Sequence, residues 1–175
     1  MTMQMVLLGY MGSGKSSVGK LLSKILNYDF ADLDTYIESS EGAVITDVFN
    51  EKGEIYFRRK EAAVLMDLLS EKNKLVLATG GGTPCYGTVM DDLLAEENVV
   101  TIYLKNSLET LTDRLFEERK NRPLIAHLNT EDLLNDFIRK HLFERSFYYH
   151  RATVILECDA LSVKEIVEKV ICKLF

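Results

Sequence analysis

The sequence predicts an α/β protein: a parallel sheet covered on both faces by helices. Two observations carry that expectation. Five short apolar runs, at residues 5–8, 28–31, 75–78, 99–104 and 153–156, have the length of buried strands. Between them apolar residues recur at helical spacing, and parallel neighbours require such crossovers to return in the same direction. The chain has 175 residues with no internal repeat, low-complexity tract or Pro/Gly-rich linker, so residues 1–175 read as one domain.

Taken in order, the first run ends at Gly9. Beyond Gly14, Val18, Leu21, Leu22, Ile25 and Leu26 form the apolar stripe of an amphipathic helix. After the second run, Thr46 is placed to cap a helix with Asp47 in its first turn. A further helix over about residues 54–69 carries Phe57, Val64, Leu65 and Leu68 on one face. Ser107 opens another. Thr130, followed by Glu131 and Asp132, opens the next, and Ser162 with Glu165 forms a capping box for the last. Periodicity does not encode the order of the strands.

Composition narrows the function. Twenty-seven acidic against 21 basic residues leave a net charge of −6, which disfavours non-specific nucleic-acid or anionic-membrane binding. Cys85, Cys158 and Cys172 are too few and scattered for a disulfide framework or zinc knuckle. No apolar run approaches the length of a bilayer span, and the N-terminus lacks the basic flank and cleavage site of a secretory signal. A cytoplasmic protein is expected. With no exposed apolar stripe in the pattern, it is expected to be a monomer.

The strongest motif is Gly9-Tyr10-Met11-Gly12-Ser13-Gly14-Lys15-Ser16, which fits G-x-x-x-x-G-K-[ST] at every fixed position, between a strand and a helix. Glycines let backbone N–H groups converge on an anion at a helix N-terminus. Lys15 adds a positive charge for the β- and γ-phosphates, and the Ser16 hydroxyl suits Mg²⁺. A nucleoside triphosphate ligand is expected. The loop does not name the reaction, because motors, switches and small-molecule kinases share it.

Other positions carry chemistry. Asp32 and Asp34 follow the second strand, at the edge where open parallel sheets bind ligands. Two apart on an extended chain, they would share a face; capping of the next helix is an equally open reading. The triplet Gly80-Gly81-Gly82 suggests a backbone that approaches a ligand closely. Of Arg58 and Arg59, one is expected to reach a substrate anion and the other to be solvated. Arg114, Arg119, Lys120 and Arg122 precede Pro123, where the helical pattern lapses, and could close over phosphates as a lid. Arg145 is followed by aromatics that read as core or groove lining. His127, His141 and His150 show no metal-ligand spacing and read as structural or surface residues.

Taken together these residues resemble the shikimate kinase family over essentially the whole chain. The similarity lies in the strand and phosphate loop from Leu7 to Ser16, in Asp32-Leu33-Asp34 with Ile37-Glu38, and in Phe57-Arg58 followed by Glu61. It continues in Gly80-Gly81-Gly82, Arg122-Pro123-Leu124 and Glu144-Arg145 ahead of Tyr148 and Tyr149. The resemblance implies a P-loop kinase fold related to nucleoside-monophosphate kinases, with strand order 2-3-1-4-5. It also implies substrate-binding helices at about residues 34–62 and a lid at about 112–128. The implied reaction is Mg-dependent phosphorylation of the 3-hydroxyl of shikimate by ATP, giving shikimate 3-phosphate and ADP on the route to chorismate and the aromatic amino acids.

Carried over position by position, Gly12, Ser13, Gly14, Lys15, Ser16 and Ser17 would hold the ATP phosphates. Ser16 would ligate one Mg²⁺ per subunit, supported through water by Asp32. Asp34 would orient or deprotonate the reacting hydroxyl. Arg58, Arg145 and the Gly81 N–H would hold the substrate carboxylate, and Arg122 would reach the transferring phosphate. Either Arg114 or Arg119 would pack on adenine. The chain departs from the family after the fifth strand, where Glu157-Cys158-Asp159-Ala160 replaces a basic nucleotide contact, leaving backbone there. Another small-molecule kinase, such as a gluconate kinase, and a nucleotide-binding module without catalysis are the competing readings.

Overall fold

A computed structural model describes residues 3–175. It contains β1 (Gln4–Leu8), α1 (Lys15–Leu26), β2 (Asp29–Asp32), α2 (Leu33–Glu41), α3 (Ile45–Glu71), β3 (Leu75–Ala78) and α4 (Val89–Ala95). These are followed by β4 (Val99–Lys105), α5 (Leu108–Glu118), α6 (Glu131–Tyr149), β5 (Val154–Glu157) and α7 (Val163–Leu174). The five strands are parallel in the order β2-β3-β1-β4-β5, the order that the resemblance implied.

The central strand shows why its sequence does not alternate. Val6 and Leu8 enter a core with Leu33, Ile37, Phe57 and Leu65 on one face; Met5 and Leu7 enter another with Val18, Leu22 and Val167. All four strand residues are fully buried, each contributing about 1.5–3 kcal/mol relative to exposure. A third cluster joins Tyr10 of the phosphate loop to Leu111 and Leu115 of α5 and to Leu134 and Ile138 of α6. This small core fixes the loop against the helices that flank the lid.

Strand limits fall within about one residue of the expected ones. Ser107, Thr130 and Ser162 are N-caps, each accepting from a backbone N–H in the first turn of its helix. Two expectations need correction. Thr46 does not cap α3: the helix begins at Ile45, whose N–H is satisfied at 2.9 Å by Glu38 Oε1 from α2, so Thr46 lies inside the first turn. The helix expected from about residue 54 is the second half of α3, set off by Gly53 at φ 81° and ψ 168°.

The paired acids also differ. Asp32 ends β2 and caps α2 through Oδ1, whereas Asp34 already lies in the first helical turn. They do not share one face of an extended chain. The capping reading holds for Asp32, and its other oxygen remains for the site.

Candidate active site

The carboxyl ends of β1, β2 and β3 converge on the phosphate loop. Gly12 and Gly14 take φ values of 79° and 90°, which residues with a Cβ rarely adopt. Gly14 caps α1 without a side chain, so the first N–H groups of the helix face the loop. Lys15 is buried, and its Nζ donates to the carbonyls of Gly9 at 2.8 Å and Tyr10 at 2.9 Å. Burial lowers its pKa to about 8, against the opposing pull of Asp34 and Asp32. Ser16 Oγ donates to Asp32 Oδ2 at 2.6 Å, while Ser13 is buried and Ser17 exposed.

Beside the loop opens a cavity of about 640 Å³, bounded by Asp34, Arg58, Glu61, the Gly80–Gly82 strand exit and Arg145. Asp34 has its pKa raised to about 6, chiefly by burial and then by the Asp32 and Glu61 carboxylates. Arg58 faces the cavity while Arg59 is exposed, as expected for one of the pair. The Arg58 guanidinium lies 3.9 Å from the Tyr86 ring centroid and donates through NH1 to Glu61 Oε2 at 2.8 Å. A Cβ at position 82 would sit 2.9 Å from Arg58 NH2, so glycine there makes room for the arginine.

Glu61 had no role in the sequence reading. It is 2% exposed and accepts from Arg58 through one oxygen and from Thr83 Oγ1 through the other, at 2.5 Å. Both oxygens of this buried carboxylate are thereby engaged, one aiming Arg58 and the other anchored by Thr83. Its i, i+3 spacing from Arg58 was the available signal. On the opposite wall, the Gly81 carbonyl accepts from the hydroxyl of the fully buried Tyr149. A Cβ at position 81 would lie 3.4 Å from Arg145 NH1. Arg145 itself lies over the Tyr10 ring, 5.6 Å from its centroid.

Only part of the expected lid is loop. Residues 112–118 belong to α5, where Leu115 is fully buried, so Arg114 is a helical residue, and its NH1 donates to the Gly12 carbonyl at 3.1 Å. Arg119 packs its guanidinium 3.7 Å from the Phe116 ring centroid. Arg122 is bound to Glu118 through Nε at 3.0 Å and NH2 at 2.5 Å, near enough to Lys15 for its charge to depress the lysine's pKa. After β5, Asp159 turns away to accept from the Ser107 N–H at 2.9 Å. His141 lines the cavity wall, a placement the sequence reading missed although it stands one helical turn before Arg145.

Among the described residues no group of three or more His, Cys, Asp or Glu side chains could hold a metal ion. What the site offers is a hydroxyl and a carboxylate oxygen at the phosphate loop, hard donors that suit Mg²⁺ shared with phosphates and water.

The family model for shikimate kinase matches residues 11–175. The shikimate kinase of Flavobacterium psychrophilum is 42% identical over 167 residues, 95% of this chain and 96% of that protein. The crystal structure of shikimate kinase from Bacteroides thetaiotaomicron superposes with a TM-score of 0.91 at 32% identity, covering 98% of both chains. The shikimate kinase from Acinetobacter baumannii, solved in complex with shikimate, gives 0.85 at 33% identity, covering 98% of this chain and 92% of that one. With the match spanning both the phosphate loop and the adjoining cavity, the chain belongs to the shikimate kinase family.

Proposed function

We propose that this protein transfers the γ-phosphoryl group of ATP to the 3-hydroxyl of shikimate, releasing shikimate 3-phosphate and ADP. One observation carries the reading: a cavity that abuts the phosphate loop is lined by one carboxylate with a raised pKa, Asp34, and by two arginines, Arg58 and Arg145. A small acceptor with one carboxylate and a reactive hydroxyl matches that arrangement, because arginines bind carboxylates in bidentate fashion.

In this reading Arg58, Arg145 and the Gly81 N–H hold the carboxylate, and the 3-hydroxyl meets Asp34. Asp34 is ionised above about pH 6 and accepts the hydroxyl proton. The alkoxide oxygen bonds to the γ-phosphorus, the bond to the bridging β,γ-oxygen breaks, and ADP leaves with that electron pair. Gly12, Ser13, Gly14, Lys15, Ser16 and Ser17 cradle the phosphates. Lys15 exchanges its carbonyl partners for phosphate oxygens, and Arg122 swings from Glu118 to the transferring group. Ser16 and, through water, Asp32 would hold one Mg²⁺, which would supply charge neutralisation for the phosphates. Arg114, already on the loop, packs near adenine; Arg119 is occupied by Phe116.

No helix among the described residues is long and apolar enough to cross a membrane. A cytoplasmic monomer is our reading of the protein's location and state. The test is ADP release from Mg-ATP with shikimate, quinate, gluconate, a nucleoside or no acceptor. Release that requires shikimate and is lost in Lys15→Ala supports the proposal. Release with gluconate instead would make it a different sugar-acid kinase, and nucleotide binding without turnover would leave a binding module.

A further inference from the structure

His141 occupies a position on α6 with two constraints and one free edge. Its Nδ1 is hydrogen-bonded at 2.9 Å to the hydroxyl of Tyr10, a phosphate-loop residue 131 positions away. The Phe137 ring, one turn earlier, packs against it with centroids 4.3 Å apart. Among the described residues Nε2 has no hydrogen-bond partner, and the ring lines the acceptor cavity one helical turn before Arg145. It also lines a smaller cavity of about 290 Å³, and Tyr86 and Arg145 likewise border both. Burial and the neighbouring Arg145 charge hold its pKa below the ordinary value, leaving a neutral ring with one donor and one acceptor nitrogen.

We infer that His141 is a specificity-determining residue of the acceptor cavity, whose Nε2 hydrogen-bonds one of the two shikimate hydroxyls that do not react. The inference rests on the proposed acceptor and extends it. The chemistry divides the wall by charge. Arg58 and Arg145 suit the carboxylate, ionised Asp34 suits the hydroxyl that must lose a proton, and an uncharged imidazole suits a hydroxyl that stays neutral. Tyr10 fixes the ring from the phosphate-loop side, so a donor or acceptor already stands oriented before the acceptor arrives.

The test compares wild type, His141→Leu and His141→Gln with shikimate and with its 4-deoxy and 5-deoxy forms, by turnover and by calorimetric binding. His141→Leu is expected to lose roughly three- to tenfold in kcat/KM for shikimate, the worth of one neutral hydrogen bond. The loss should fall on the acceptor KM, leave the ATP KM unchanged, and be partly recovered by His141→Gln. One deoxy analogue should cost wild type the same factor and show no further loss with His141→Leu. A loss that persists with both analogues, a raised ATP KM, or no loss with shikimate would overturn the inference. Failure of wild type to bind shikimate would overturn the proposed function with it. Equal binding by wild type and His141→Leu would overturn the inference alone.

Discussion

The Ser16 hydroxyl donates to Asp32 Oδ2 over 2.6 Å, joining the first turn of α1 to the last residue of β2. The bond sets a metal-side hydroxyl and a carboxylate together before any phosphate arrives. If this pair serves Mg²⁺, Ser16→Ala should raise the Mg²⁺ concentration for half-maximal turnover about tenfold or more, with shikimate binding unchanged. Asp32→Asn should shift it less, because its role is through water. Equal Mg²⁺ dependence of wild type and Ser16→Ala would remove Ser16 from the metal.

The two perturbed groups predict the pH profile of kcat/KM, which reports the free enzyme. Asp34 must be ionised, so activity rises as pH climbs through about 6. Lys15 must be charged, so activity falls as pH climbs through about 8. A bell with limbs near these values is expected in Mg-ATP. In Asp34→Asn the acidic limb should disappear along with at least 10²-fold of kcat, within the usual range for a general base.

The same carboxylate bears on stability. Its folded pKa of about 6 lies above the ordinary 3.8, so ionisation opposes folding. The cost is absent below about 3.8, grows between the two values and is complete above about 6. Asp34→Asn should therefore melt higher than wild type at pH 8 and lose that advantage near pH 4. Thermal unfolding at the two pH values decides it.

Glu61 aims Arg58 from beneath. Glu61→Ala leaves a guanidinium nitrogen and the Thr83 hydroxyl without their partner. Leaving one half of a part-buried, charge-assisted pair without its partner costs about 1–3 kcal/mol. A fall in melting temperature together with a raised shikimate KM is expected; Arg58→Ala should raise that KM and destabilise at least as much, because it strands the more deeply buried partner, the 2% exposed Glu61 carboxylate. An ATP KM effect alone in Arg58→Ala would place the arginine in the wrong pocket.

Arg122 is a third exposed and tied to Glu118 by one helical turn. As a charge-stabilising arginine it should cost about 10³-fold in kcat when changed to alanine. Glu118→Ala, which frees it, should leave kcat within a few-fold. A loss in Arg122→Ala confined to ATP affinity would make it an ordinary binding residue.

How much of this was readable depends on the distance over which each feature is built. The phosphate loop is complete within eight consecutive residues, and its glycines, lysine and serine state their chemistry by spacing alone. The strands were legible because burial on both faces leaves uninterrupted apolar runs, and three helix starts because a cap and its N–H lie three residues apart. Thr46 misled because α2, not a local hydroxyl, supplies the cap of α3. Asp34 misled because helix α2 begins at once after β2.

By itself, then, the sequence determined an α/β chain with a nucleotide loop at the end of its first strand, and family resemblance supplied the strand order. Tertiary structure decided what stands around the acceptor cavity. Glu61 meets Thr83 across 22 residues, Tyr149 reaches the Gly81 carbonyl across 68, and His141 meets Tyr10 across 131. No periodicity encodes such pairings, since they exist only once β3 and β4 flank β1 and α6 folds back over the carboxyl edge of the sheet. Local spacing fixes which atoms are available; the packing of distant segments fixes which of them face one another.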